Sequence, residues 1–194
     1  MRAKNINPIT TQMQTLLNTL DKHLQEKRPD YYKDLRPPLT DQQIGDLEKK
    51  YNLQLPSDVR LLYQWKNGQD DYKRFVNNST FMPLESALES YELLTGMIGY
   101  DFEIKNWWNE HWIPLFENGS GDHICVDMAG IFTGDAGQIV DFWHDSPGRN
   151  VTAPSLEAFI GSLNKYYETT KPEDFDEFFI IEGIKGYPKR FEVK

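Results

Sequence analysis

The chain has 194 residues, room for one well-buried domain and little more. Aromatic residues make up 13%, which excludes a disordered chain, since such chains are poor in them. Asp and Glu number 30 against 21 Lys and Arg, so the net charge is −9; with no dense basic run, that excludes ordinary nucleic-acid binding and favours a basic partner.

Residues 10–28 read as an amphipathic helix, with Met13, Leu16, Leu17, Leu20 and Leu24 on one face. Thr10 or Thr11 is placed to cap it and Pro29 to end it. Tyr31 to Pro38 reads as a linker stiffened by Pro37-Pro38. No apolar run follows Met1, so no secretory signal is expected, and no stretch is apolar enough to span a membrane. The expected location is the cytoplasm.

Thr40 opens a second helix with Gln43 three residues on, the spacing of a capping box. Ile44, Leu47 and Tyr51 form its apolar stripe, and Leu53 and Leu55 follow as short anchors. Ser57 is placed to cap a third helix with Val59, Leu62 and Tyr63 inward, and Asn67-Gly68 to stop it. Residues 69–83 are polar, with short strands expected near Phe75-Val76 and Phe81-Met82. Leu84, Leu88 and Tyr91 predict a helix that ends before Gly96. Residues 97–111 have no clean period and read as loop, with room for a short helix.

From Trp112 the pattern changes to short apolar strands: 112–115, 122–127, 138–143 and 150–152. Gly119-Ser120-Gly121, Gly134-Asp135-Ala136-Gly137 and Ser146-Pro147-Gly148 are turns too short for parallel crossovers, so the strands form an antiparallel meander. Cys125, the single cysteine, excludes an intrachain disulfide and sits among apolar neighbours as a small hydrophobe. Ser155 caps a last helix with Leu156, Phe159, Ile160 and Leu163 on one face. The tail from Lys171 mixes the acidic run Glu173 to Glu177 with apolar Phe178 to Ile181, the acidic part reading as a solvated face or a tail that orders on binding. Helices, then strands, then a helix imply an α+β fold, an antiparallel sheet of short strands with helices on one face.

The ordered set of elements is more specific than any one of them. Thr40-Asp41-Gln42-Gln43 leads to Leu53-Gln54-Leu55-Pro56, then to Val59 through Asn67-Gly68, then to Met82-Pro83-Leu84-Glu85. Trp112-Ile113-Pro114, Gly121-Asp122, the strand ending in Asp127 and Ser155-Leu156-Glu157-Ala158-Phe159 complete the series. In that order they resemble the SUKH superfamily, in particular its yeast killer-toxin-resistance and cell-wall-assembly regulator branch. The resemblance implies three parts: residues 1–38 as an N-terminal helix and linker, 39–168 as the SUKH-like α+β domain, and 169–194 as a C-terminal extension packed on or flanking it. It also implies an immunity protein that binds and neutralises the toxin domain of a bacterial polymorphic-toxin or contact-dependent competition system, with no catalysis and no cofactor. A regulatory adaptor of the cell-wall-regulator type is the alternative.

Asp122-His123 and His144-Asp145 resemble metal or acid–base pairs, and a metal-dependent hydrolase is the third reading. Neither pair has a recognised ligand spacing, and aspartates at strand ends commonly accept turn hydrogen bonds, so no metal or catalytic residue is assigned. Gly119-Ser120-Gly121 lacks the Lys-Ser/Thr of a phosphate loop, and Cys125 lies mid-strand with nothing to activate it. Trp107 and Trp108 are adjacent, so on a regular element only one faces a given side, and an exposed Trp is a common binding anchor. Packing of both beneath a loop is the other reading. The acidic residues at loops and strand ends read either as solubility devices or as a rim for a basic toxin surface. Asp141 is the exception: by period two it shares a face with Ile139 and Trp143. A carboxylate there needs a partner or a ligand, and a hydrogen bond to a neighbouring loop is the simpler answer. The partner-binding residues expected are Asn67, Asp70, Asp71, Trp107, Trp108, Asp122 and Asp145.

Overall fold

The computed structural model describes residues 8–175 and 178–194. Asp176 and Glu177, part of the acidic run in the tail, lie outside that set, as do the side chains of residues 8–11.

Helix α1 spans Pro8–Lys27. It begins ahead of Thr10 and Thr11, which stand inside it, because proline suits a first turn whose N–H groups are unpaired anyway. Met13, Leu17, Leu20 and Leu24 are fully buried. The linker expected from Tyr31 starts later, after Tyr32. Pro29–Tyr32 form a short helix, α2, since a proline that ends one helix also opens the next. Tyr31 is buried there, stacked on Phe75 and donating to Gln69 Oε1 at 2.8 Å. Pro37-Pro38 do run extended, with Arg36 and Leu39 bonding the backbone of Gly68 and Tyr63.

Helix α3, Asp41–Lys50, carries the complete Thr40–Gln43 capping box. Helix α4, Ser57–Trp65, is capped differently from expectation. Pro56 occupies the cap position and Ser57 is already helical, so its side chain makes no cap bond. Val59, Leu62 and Tyr63 face the core. The helix ends at Trp65 with Lys66 extended, ahead of Asn67-Gly68. Gly68 has φ +73°, and a Cβ there would stand 2.3 Å from the Pro83 nitrogen, so only glycine fits this close backbone crossing. Helix α5 spans Leu84–Gly96 and α6 spans Leu156–Thr169, the latter capped by Ser155 through Ala158 N.

Six strands form one antiparallel meander in sequence order: β1 Thr80–Phe81, β2 Trp112–Glu117, β3 His123–Asp127, β4 Gln138–Phe142, β5 Gly148–Ala153 and β6 Lys189–Glu192. β2 carries a bulge between Pro114 and Phe116, a position where the missing proline N–H costs little. β6 escaped sequence reading because its residues alternate half-buried and exposed at the sheet edge, without an apolar run. Phe75-Val76 makes only an isolated bridge, Val76 to Ser79.

Both sheet faces are covered. On one, Ile113, Leu115, Ile124, Val126 and Ile139 pack with Leu20, Leu62, Phe159 and Ile160 of α1, α4 and α6. On the other, Trp112, Cys125, Val140 and Phe142 pack beneath Trp108. The cover there is the end of α5, through Tyr91 and Leu94, Ile131 and Phe132 of the β3–β4 connection, and the irregular 97–111 segment, which forms turns and an Ile98–Phe102 bridge and no helix. Asp127 ends β3 fully buried. Its carboxylate accepts from Ala129 N, Gly130 N, Ile131 N and the Gln138 side chain at 2.7–3.0 Å, so it ties the β3–β4 turn and is no rim residue. Among the described residues no helix is long and apolar enough to cross a membrane.

Candidate binding surface

The β3–β4 ladder begins at the His123–Phe142 pair, so the residues just beyond it, Asp122 and His144, emerge side by side. The β2–β3 turn is rigid. Asn118 Oδ1 accepts from Ser120 N and Asp122 N, and its amide donates to Asp122 Oδ2 at 2.7 Å. Asp122 Oδ1 accepts from His144 N at 2.9 Å and faces His144 Nδ1 at 2.9 Å. Gly121 makes room for this, at φ +101°, with the His144 ring 3.1 Å from where a Cβ would stand. Burial works to raise the Asp122 pKa, but the bonds from His144 and Asn118 outweigh it and leave the carboxyl below its usual range. The bond to Asp122 raises His144 in turn. Asp145 is exposed beside them, and ligand atoms of Asp122, His144 and Asp145 lie within 4.8 Å of one another.

Trp107 joins the same patch. It is half-buried, and its Nε1 donates to the His144 carbonyl at 3.2 Å. Arg149 holds it from below: its guanidinium lies 5.3 Å from the Trp107 ring, donates to the Trp107 carbonyl, and also donates to the Ser146 and Gly148 carbonyls. Arg149 is fully buried, and burial lowers its pKa to about 10, still high enough to stay charged at neutral pH. Its role was not foreseen. The signal was the period-two pattern of β5, which sets Arg149 on the buried face with Val151. Trp108 is core: 2% exposed, set edge-on against Trp112 and Phe142, with Nε1 donating to Thr95.

The structure thus brings Trp107, Asp122 and Asp145 together, with Trp108 beneath them. Asn67, Asp70 and Asp71 stand in another neighbourhood. Asn67 Oδ1 accepts from Leu84 N and so caps α5. Asp70 is ion-paired with Arg36 at 2.6 Å, and Asp71 accepts from Tyr72 N and sits 3.5 Å from Lys73.

His123 does not join His144. It is buried, stacked on Phe142, and burial lowers its pKa to about 4, so it is neutral at pH 7. Among the described hydrogen bonds, the His144 ring is matched with Asp122 Oδ1. The patch therefore offers one aromatic ring in a fixed orientation beside an acidic, hydrogen-bonding rim.

Residues 38–162 match the model of the SMI1 / KNR4 family, SUKH-1. No curated protein matches the chain.

Proposed function

The chain belongs to the SMI1 / KNR4 (SUKH-1) family, and on that premise we propose that it is a non-enzymatic immunity protein, which binds a cognate toxin domain in stoichiometric fashion and neutralises it. The observation that supports this reading most is the Trp107 patch. An aromatic anchor whose position is already determined loses little freedom on docking, and such anchors carry much of the energy of protein interfaces. Asp122 and Asp145 lie beside it as the acidic rim, and the net charge of −9 speeds encounter with a basic toxin surface. The toxin's active site is covered or distorted by the docked domain. The loop of Asn67, Asp70 and Asp71 is a second contact area in this reading.

The test is co-expression with the product of the adjacent gene. A toxic neighbour that is tolerated only with this chain, and co-purifies with it one to one through high salt, supports immunity. A chain that instead holds several cell-wall enzymes at lower occupancy is an adaptor. Turnover of a substrate by the chain alone overturns both.

A further inference from the structure

The helix-side face of the sheet carries a polar row where its core ends. Across β2 to β6 the residues in register are Phe116, Ile124, Asp141, Asn150 and Arg190. Directly opposed residues of an antiparallel sheet share a face, so along one line the side chains pass from apolar to acid, amide and base. The segment from Ile180 to Pro188 lies over this row and leaves a cavity of about 510 Å³, the size of a small-molecule site. A recess of about 170 Å³ adjoins it and shares Asp141 and Trp143.

Asp141 is 5% exposed, and its Oδ1 has no hydrogen-bond partner. Among the described residues, Asn150 is the side chain beside the carboxylate that favours its charged form. Buried carboxylate oxygens are normally matched with donors, and the donor missing here has a cavity to arrive through. Arg190, at the other end of the row, is exposed and makes no ion pair among the described residues. Trp143 and Phe159 line the space between, and Glu182 stands on the covering segment.

We propose that this cavity is a binding site for an ω-amino acid, with the ammonium on Asp141, the aliphatic stem along Trp143 and Phe159, and the carboxylate toward Arg190. An ammonium supplies the donors that Oδ1 lacks, and an aromatic face favours a cation beside it. Asp141 and Arg190 are two strands apart, about 10 Å between backbones, so a ligand with its charges at the two ends of a short chain spans them. Free compounds and a polypeptide ending in lysine carry the same chemistry. The site stands independently of the toxin reading.

Isothermal titration of the full chain at pH 8 tests it, with 6-aminohexanoate as the probe and hexylamine and hexanoate as its halves. The zwitterion is expected to bind one to one, about tenfold or more tighter than either half. D141N is expected to weaken it about tenfold or more, and R190Q to erase its advantage over hexylamine. D141N places a neutral amide in the same shape, and its melting temperature should equal or exceed that of the parent. Should D141N fail to fold, the Trp143 indole signal of the parent chain reports binding by NMR. Gly-Gly-Lys with a free carboxylate separates the sources: equal binding identifies a chain terminus, weaker binding a free amino acid, and both support the site. No heat and no Trp143 shift at millimolar 6-aminohexanoate overturns the proposal. So does equal binding of hexylamine, or D141N binding as the parent does.

Discussion

The fully buried guanidinium of Arg149 donates to the Trp107 carbonyl and lies 5.3 Å from the Trp107 ring. One side chain therefore sets both the backbone and the ring of the residue that anchors the surface patch. Removing it leaves the Trp107, Ser146 and Gly148 carbonyls short of a donor. Arg149→Met is expected to lose about 1–3 kcal/mol of stability and to release the Trp107 indole. Arg149→Lys should recover only part, because an ammonium cannot reproduce the planar fork. Denaturant unfolding followed by tryptophan fluorescence reads both effects.

Asp145 is exposed, whereas Asp122 is bound on both oxygens, Oδ2 by Asn118 of its own turn and Oδ1 by His144 N across the sheet. Asp145→Lys should therefore leave stability within about 0.5 kcal/mol. With a basic toxin it should slow association and do so less at high salt. Stopped-flow association at two salt concentrations checks this; unchanged association at both would remove Asp145 from the docking face.

The Asp122–His144 pair gives a pH signature. His144 is raised above its usual 6.5, so its contribution is fully present below pH 6.5 and is lost as pH rises through the folded value. Asp122 is lowered from 3.8, so its contribution is present above pH 3.8 and is lost as pH falls through the folded value. The pair stabilises most between those limits. Buried His123, lowered to about 4, adds stability at higher pH that is lost as pH falls below 6.5. Asp141, raised to about 7 by burial, acts in the opposite sense and costs stability as pH rises toward 7. The melting-temperature difference between the parent chain and His144→Ala isolates the first pair; it should be largest near pH 5 and shrink as pH rises past 6.5.

Asp127 accepts four hydrogen bonds with no surface exposed. Asp127→Ala leaves the buried Gly130 N–H and Gln138 amide, and the less buried Ala129 and Ile131 N–H groups, without their acceptor. A loss of about 3 kcal/mol or more is expected, since each unsatisfied buried group costs on the order of 1–3 kcal/mol. Asp127→Asn keeps part of the acceptor set and should fall between. Urea denaturation orders the three proteins.

By itself, the sequence determined the elements whose cause is local. The Thr40–Gln43 box, the Ser155 cap, the Gly-rich turns and the short apolar strands are written within a few residues of chain, and the structure reproduces them. The ordered set of those elements also carried the family. Even the oddity of Asp141 was legible, because period two assigns its face. Tertiary structure alone decided what those residues meet. Trp107 and Trp108 are neighbours in sequence, yet only the packing of 97–111 over β3 and β4 makes one a core residue and leaves the other half-exposed. Arg149 finds Trp107, and Asp141 finds Asn150 and Arg190, through strand register and chain reversal. Such relationships cross hairpins and, for Arg149 and Trp107, join residues 42 positions apart, and no local period encodes which distant group arrives beside a buried charge.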